Sequence, residues 1–262
     1  TNTQRMFIQR VVAFSSNKNS GNPAAVYVVK SFPSRQQMQN IATKESFSET
    51  SFICLKGDNL YYIRWFTPTS EAPICAHATL AAAFVLYNNS FVRKDKKIFF
   101  LNHKNVFTAW IEGNWISLLF PSYQVTSYVT SVTEKTLNTV QNILQGHKHL
   151  FIGVSKNVLF VELIDEVSVN FFKPNLALIK KLPFRALLIT AQGTKYDFVS
   201  RYFAPSVGID EDPVCGSAHC RLIPYWSHKL SLNHMIAYQS SKRTGVIRCE
   251  NLKSSVVIKG QA

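Results

Sequence analysis

Apolar and polar positions change rhythm several times along the chain, and each change marks an element. Val11-Val12-Ala13-Phe14 and Ser20-Gly21-Asn22-Pro23-Ala24-Ala25-Val26-Tyr27-Val28-Val29 predict two strands joined through a Gly-Asn turn, a hairpin that opens the chain. Apolar residues then return at helical spacing, as Met38, Ile41 and Ala42, in a segment from Arg35 to Lys44 that Ser34 can cap. Ser46 to Ile53 has the aromatic and β-branched alternation of a strand, which would set Phe47, Glu49 and Ser51 on one face and Ser48, Thr50 and Phe52 on the other. Ala76 to Tyr87 is rich in helix formers and apolar nearly all round, so it predicts a helix enclosed by a sheet rather than one lying on a surface. A second such helix is expected from Gly216 toward Leu230, kinked or broken early at Pro224.

One phrase occurs twice. Arg64-Trp65-Phe66-Thr67-Pro68-Thr69 returns as Arg201-Tyr202-Phe203-Ala204-Pro205-Ser206, and Glu71-Ala72-Pro73-Ile74-Cys75-Ala76-His77-Ala78 returns as Glu211-Asp212-Pro213-Val214-Cys215-Gly216-Ser217-Ala218. A short insertion within 207–210 separates the blocks of the second copy. Each copy reads strand, loop, helix, and the natural reading is a molecule of two related halves. Two helix N-termini facing each other across a pseudo-two-fold axis would aim unpaired N–H groups and positive dipole ends into one cleft, a setting for an anion. The copies differ where polar chemistry would sit, since His77 aligns with Ser217, Ala76 with Gly216 and Ala72 with Asp212.

Glu49 is an acid in an otherwise uncharged strand, where burial would raise its pKa and make it a proton carrier near neutrality. Glu45, at the preceding helix end, reads as a solvated surface charge. Composition changes this picture little. With 262 residues, 46% of them apolar, the chain can bury one or two cores without disulfides or metals. Thr1 to Val12 has no long apolar run of the signal-peptide kind, and no stretch is long enough to span a bilayer, so the expected setting is cytoplasmic with no membrane partner. Five dispersed cysteines without C-x-x-C spacing predict reduced thiols and no metal site, and His147 and His149 read as solvated. The net charge of +14 is scattered, densest at Arg93-Lys94-Asp95-Lys96-Lys97 in a loop, which argues for a basic surface able to steer a carboxylate and against a nucleic-acid reader.

The phrases VAFSSNKNSGNPAAV, MQNIATKESFSETSFI, IRWFTPTSEAPICAHATLAAAFVLY, SRYFAPSVGIDEDPVCGSAHCRLIPYW and AYQSSKRTGVI, in this order over nearly the whole chain, resemble the PhzF-like family of isomerases from phenazine biosynthesis. That resemblance implies an α+β fold of the diaminopimelate-epimerase-like kind. Its two pseudo-symmetric halves, here 1–120 and 121–262, would each be a mixed, curled, barrel-like sheet around a central helix, with the active site between them and a homodimer as the assembly. It implies a cofactor-independent isomerase that moves a proton between carbons of a small carboxylated substrate. Glu49 would be the general acid/base, with His77, Asp212 and Ser217 as its catalytic partners and with Asn22, Ala76, Gly216 and Ala218 at the substrate. No cofactor is implied.

The departures are specific. Ala76 stands where the family's C-G-H-A-T has glycine, Cys215 where D-P-V-T-G-S-A has threonine, Val12 where an Asp is common, and Thr244 in place of the first glycine of R-G-G. In related cofactor-independent racemases two cysteines flank the substrate carbon at the positions matched by Cys75 and Cys215. An amino-acid racemase or epimerase working through these two thiols, each with its pKa lowered at a helix N-terminus, is the alternative enzyme. A catalytically degenerate binding protein, its cleft narrowed by Ala76, is the alternative outside enzymes.

Overall fold

In the computed structural model, which describes residues 6–15, 17, 19–127 and 133–262, the elements repeat in order. The first half runs β1 (Phe7–Ala13), β2 (Asn22–Val29), α1 (Arg35–Glu45), β3 (Thr50–Gly57), β4 (Leu60–Phe66), β5 (Glu71–Ala72), α2 (Ala76–Asn88), β6 (Ile98–Asn102), β7 (Asn105–Glu112) and β8 (Trp115–Pro121). The second runs β9 (Thr126–Ser127), α3 (Glu134–Leu144), β10 (His149–Ser155), β11 (Val158–Leu163), α4 (Glu166–Phe171), α5 (Leu176–Lys180), β12 (Ala186–Gln192) and β13 (Phe198–Ala204). It continues through β14 (Ile209–Asp212), α6 (His219–Leu230), β15 (His234–Gln239), β16 (Gly245–Asn251) and β17 (Ser255–Gly260).

The pairing itself is duplicated. β1–β2, β3–β4, β6–β7 and β7–β8 are antiparallel while β2–β3 and β4–β6 are parallel, and the same alternation recurs in β10–β11, β12–β13, β15–β16 and β16–β17 against β11–β12 and β13–β15. The halves join edge to edge through β8 and β17, Leu118 opposite Ile258. This is the expected α+β architecture of two pseudo-symmetric halves.

Period-two alternation with both faces buried explains the layers. In β12, Ala186 and Leu188 point to the inner core while Leu187, Ile189 and Ala191 point outward under α3, α4 and α5. In β3, Ile53 points inward, and Phe52 and Cys54 outward with Met38 and Ala42 of α1. The enclosed helix α2 packs on β1, β2, β3, β7 and β8, and α6 on β15, β16 and β17. The expectation for α2 follows from composition: of its residues only Phe84 and Asn88 are less than fully buried.

Three local expectations change. Asn22 starts β2, opposite Ala13, so the hairpin connection spans 14–21, of which 16 and 18 lie outside the described residues. α6 starts at His219, and 216–218 form a tighter turn closed by His219 N–H to Gly216 O (3.0 Å) and Cys220 N–H to Ser217 O (3.1 Å). Pro224 sits inside α6 without ending it. The carbonyl of Cys220, which a residue with an N–H at 224 would bond, accepts the amide of Tyr123 at 2.8 Å instead.

Candidate active site

Glu49 lies just before β3 rather than within a strand running from Ser46. α1 ends in a left-handed Ser46 cap, and 46–49 form a bend that turns the chain back into the sheet. Its position is thus set by a helix end and a strand start rather than by a pleat. Glu45 corrects a second expectation, since it is not a solvated charge. Its carboxylate takes both N–H groups of Arg10 at 2.8 Å and the Tyr27 hydroxyl at 2.5 Å, and these partners hold its pKa below the usual range against the opposing effect of burial.

Around Glu49 the duplicated loops converge. His77 Nδ1 lies 3.4 Å from Glu49 Oε2 and 3.4 Å from Cys75 Sγ. Burial drives the His77 pKa down to about 3, so the imidazole is neutral and its contact with Glu49 is not an ion pair. From the other half, Asp212 accepts Asn22 Nδ2 at 2.5 Å, and the same amide group bonds Val214 O at 2.9 Å. Burial, with the nearby charge of Asp212, raises Glu49 well above the ordinary carboxylate value, and burial raises Asp212 to about 7. Glu49 Oε2, His77 Nε2 and Asn22 Oδ1 have no hydrogen-bond partner among the described residues. Two carboxyls held toward their protonated forms beside such unmatched polar atoms make a site that can take and return a proton.

The helix starts meet here. Ala76 and Gly216 touch across the pseudo-axis: a Cβ on Gly216 would lie 2.6 Å from that of Ala76 and 3.0 Å from the Phe14 ring. The methyl of Ala76 therefore points at the opposing backbone. Ala218 is buried beneath Ser217, whose hydroxyl lies 3.5 Å from Cys215 Sγ. The cleft is lined by Glu49, Asp212, Cys215 and Ser217 with Tyr202 and apolar Ile74, and its free space is about 40 Å³, room for a water or two.

The thiols correct an expectation. Both Cys75 and Cys215 are raised well above the ordinary thiol value, by burial first and then by the neighbouring carboxylates, so the helix ends do not make them thiolates. Glu49, Cys75 and His77 offer ligand atoms within 4.8 Å of one another, but a cation there would have to displace protons from an acid and a thiol that burial holds neutral.

Sequence reasoning missed several groups. Gln239 clamps the second loop, accepting the Cys215 N–H and donating to Asp212 O, both at 2.7 Å; its signal was its place in the AYQSSKRTGVI phrase. His219 Nδ1 donates to Cys215 O at 2.9 Å, as the hydroxyl of its counterpart Thr79 donates to Cys75 O at 2.5 Å. Lys156 and Arg185 line the cleft with no motif to mark them, and Arg221 lines it from within the GSAHCRLIPYW phrase.

Residues 11–262 match the model of the phenazine biosynthesis-like protein family (PhzC-PhzF). The chain belongs to that family. An uncharacterized isomerase of Pseudomonas aeruginosa is 40% identical over 253 residues, covering 97% of this chain and 94% of its own. One from Halalkalibacterium halodurans is 37% identical over 257 residues, 96% of this chain and 93% of its own. The crystal structure of a PhzF-family protein from Enterococcus faecalis superposes with a TM-score of 0.85 at 36% identity, covering 97% of this chain and 94% of that one. At much lower identity, solved epimerase and racemase structures share the fold alone. This PhzF-like chain is thus of the isomerase and epimerase type, and among its described residues no helix is long and apolar enough to cross a membrane.

Proposed function

We propose that the protein is a cofactor-independent isomerase that moves a proton between carbons of a small carboxylate, with Glu49 as general acid/base. The observation that carries this reading is the Glu49 carboxyl, 7% exposed, beside neutral His77 and raised Asp212 at the junction of the two inner helices. Glu49, in its ionised form, the minor one while burial holds the carboxyl toward protonation, takes a proton from the allylic carbon of an unsaturated acid whose double bond is conjugated to the substrate carboxylate. The electron pair left behind spreads onto that carboxylate. Ser217 and the amide-rich start of α6 face this developing charge, and Asp212, protonated and steadied by Asn22, donates to it. Glu49 then returns the proton to the other end of that allylic system as the double bond shifts along it, which closes the balance without any other reactant. Gly216 and Ala76 keep the two helix starts in contact, and His77 presents a neutral nitrogen that orients Glu49. A homodimer in the cytoplasm is the setting proposed with it.

Incubating the protein in heavy water with a panel of small carboxylates and following deuterium incorporation by NMR tests the reading. Glu49→Gln should lose about 10²- to 10⁴-fold of the exchange rate, while Cys215→Thr keeps most of it. Loss with Cys215→Thr and retention with Glu49→Gln would move the chemistry to the paired thiols. Exchange with no acid at all, while an acid still binds, would leave a binding protein.

A further inference from the structure

One guanidinium in the cleft is unlike the others. Arg10, Arg35, Arg64, Arg93, Arg201, Arg221, Arg243 and Arg248 each make a hydrogen bond, an ion pair or a ring contact. The Arg185 side chain has none of these among the described residues, although it lines the same cleft as Glu49 and its charge acts on Glu49 and on Tyr202. Its main chain is fixed on both sides, the N–H to Asn157 O at 2.9 Å and the carbonyl to Ser206 Oγ at 3.1 Å. A half-buried fork of donors on a pinned backbone, left without an acceptor, is a recognition element awaiting one.

Its surroundings define the acceptor. Arg221 spends its donors on the carbonyls of Ser155, Ser217 and Lys156, so it supplies positive potential rather than free N–H groups. Lys156, in the two-residue turn between β10 and β11, also lines the cleft, its ammonium 5.6 Å from the centre of the Tyr123 ring. Three cations thus line one cleft with two carboxyls, and in the proton-transfer reading the Ser217 turn ahead of α6 is taken up by the carboxylate at the reacting carbon.

Building on the proton-transfer reading, we infer that Arg185, in a cleft that Lys156 also lines, binds a second carboxylate of the substrate, so the molecule isomerised is a small dicarboxylic acid. Arg185 is then a specificity-determining residue: it holds the far end of the substrate and touches none of the reacting atoms.

Calorimetric titration with length-matched acids, glutarate against butyrate and succinate against propionate, tests this in the wild type, Arg185→Gln, Arg185→Lys and Glu49→Gln. The wild type should bind the diacid about 10- to 100-fold more tightly than its monoacid partner, the range of a charge-assisted, bidentate contact. Arg185→Gln should reduce that preference to about threefold or less, Arg185→Lys should fall between, and Glu49→Gln should keep it whole. Equal affinities in the wild type, no detectable diacid binding, or a preference that survives Arg185→Gln would each overturn the inference. The two readings fail separately. A diacid preference without deuterium exchange on any acid sinks the proton-transfer reading alone, and exchange on monoacids with no diacid preference sinks this one alone.

Discussion

Asp212 shows how environment rather than residue type sets chemistry. Its carboxyl is raised from the ordinary aspartate value of 3.8 to about 7, by burial first. Between those limits the folded chain holds a proton that the unfolded chain releases, so this group's contribution to stability is full at low pH and declines as pH rises from about 4 to 7. Glu49 acts in the same direction. Asp212→Asn keeps an oxygen for Asn22 but cannot ionise, so the fall in melting temperature between pH 5 and pH 8 should be smaller in the variant than in the wild type. Melts followed by circular dichroism at both pH values check this, and an unchanged fall would mean that Asp212 ionises inside the fold without cost. At this scale the motif phrases brought Glu49, His77, Asp212 and Ser217 forward as candidates, and the fold gathers them at one cleft, while Gln239 and His219 in the same phrases went unread. Glu45 was misread, because its partners Arg10 and Tyr27 come from two other strands. Arg185 was passed over, because its importance lies in what fails to touch it.

At the scale of elements, the helices divide into two kinds. α1, α3, α4 and α5 carry oxygen caps from Ser34, Thr133, Asp165 and Asn175. The inner helices α2 and α6 have none; there the thiols of Cys75 and Cys215 face the amides of Ala78 and Ala218. Surface helices are started by local chemistry that a sequence displays, whereas the starts of the inner ones press on each other. The Ala76–Gly216 contact measures that coupling. Gly216→Ala should destabilise by about 1–3 kcal/mol, the range for overpacking. Adding Ala76→Gly should recover most of the loss, since it removes the opposing methyl. Urea unfolding of the two single variants and the double gives the interaction energy directly. An additive double variant would separate the two helix starts. Helix type was readable from composition, but the late start of α6 and the passage of Pro224 were not, because Tyr123 reaches the freed carbonyl from outside the helix.

For the whole molecule the consequence is closure. The cleft between the two joined halves is narrow, with about 40 Å³ of free space. The same closure covers the thiols, all five of which are buried. Alkylation of Cys75 and Cys215 by iodoacetamide at pH 8, followed by mass spectrometry, should therefore be at least about 100-fold slower in the native protein than in urea, both because the sulfurs are covered and because burial keeps them protonated. Rapid native labelling of either would favour the two-thiol alternative.

The sequence by itself determined the duplication, the enclosed helix, the family phrases and the acid among them, because each is written in neighbouring residues or in a repeat that survives translation along the chain. It took the fold to show that Glu49 and Asp212 share one buried pocket, that burial raises both thiols, that Ala76 presses on Gly216 and that Arg185 has no acceptor among the described residues. Those are properties of groups far apart in the chain and close in space, and their energies come from exclusion of water and from charges across the cleft, which no local pattern of residues records.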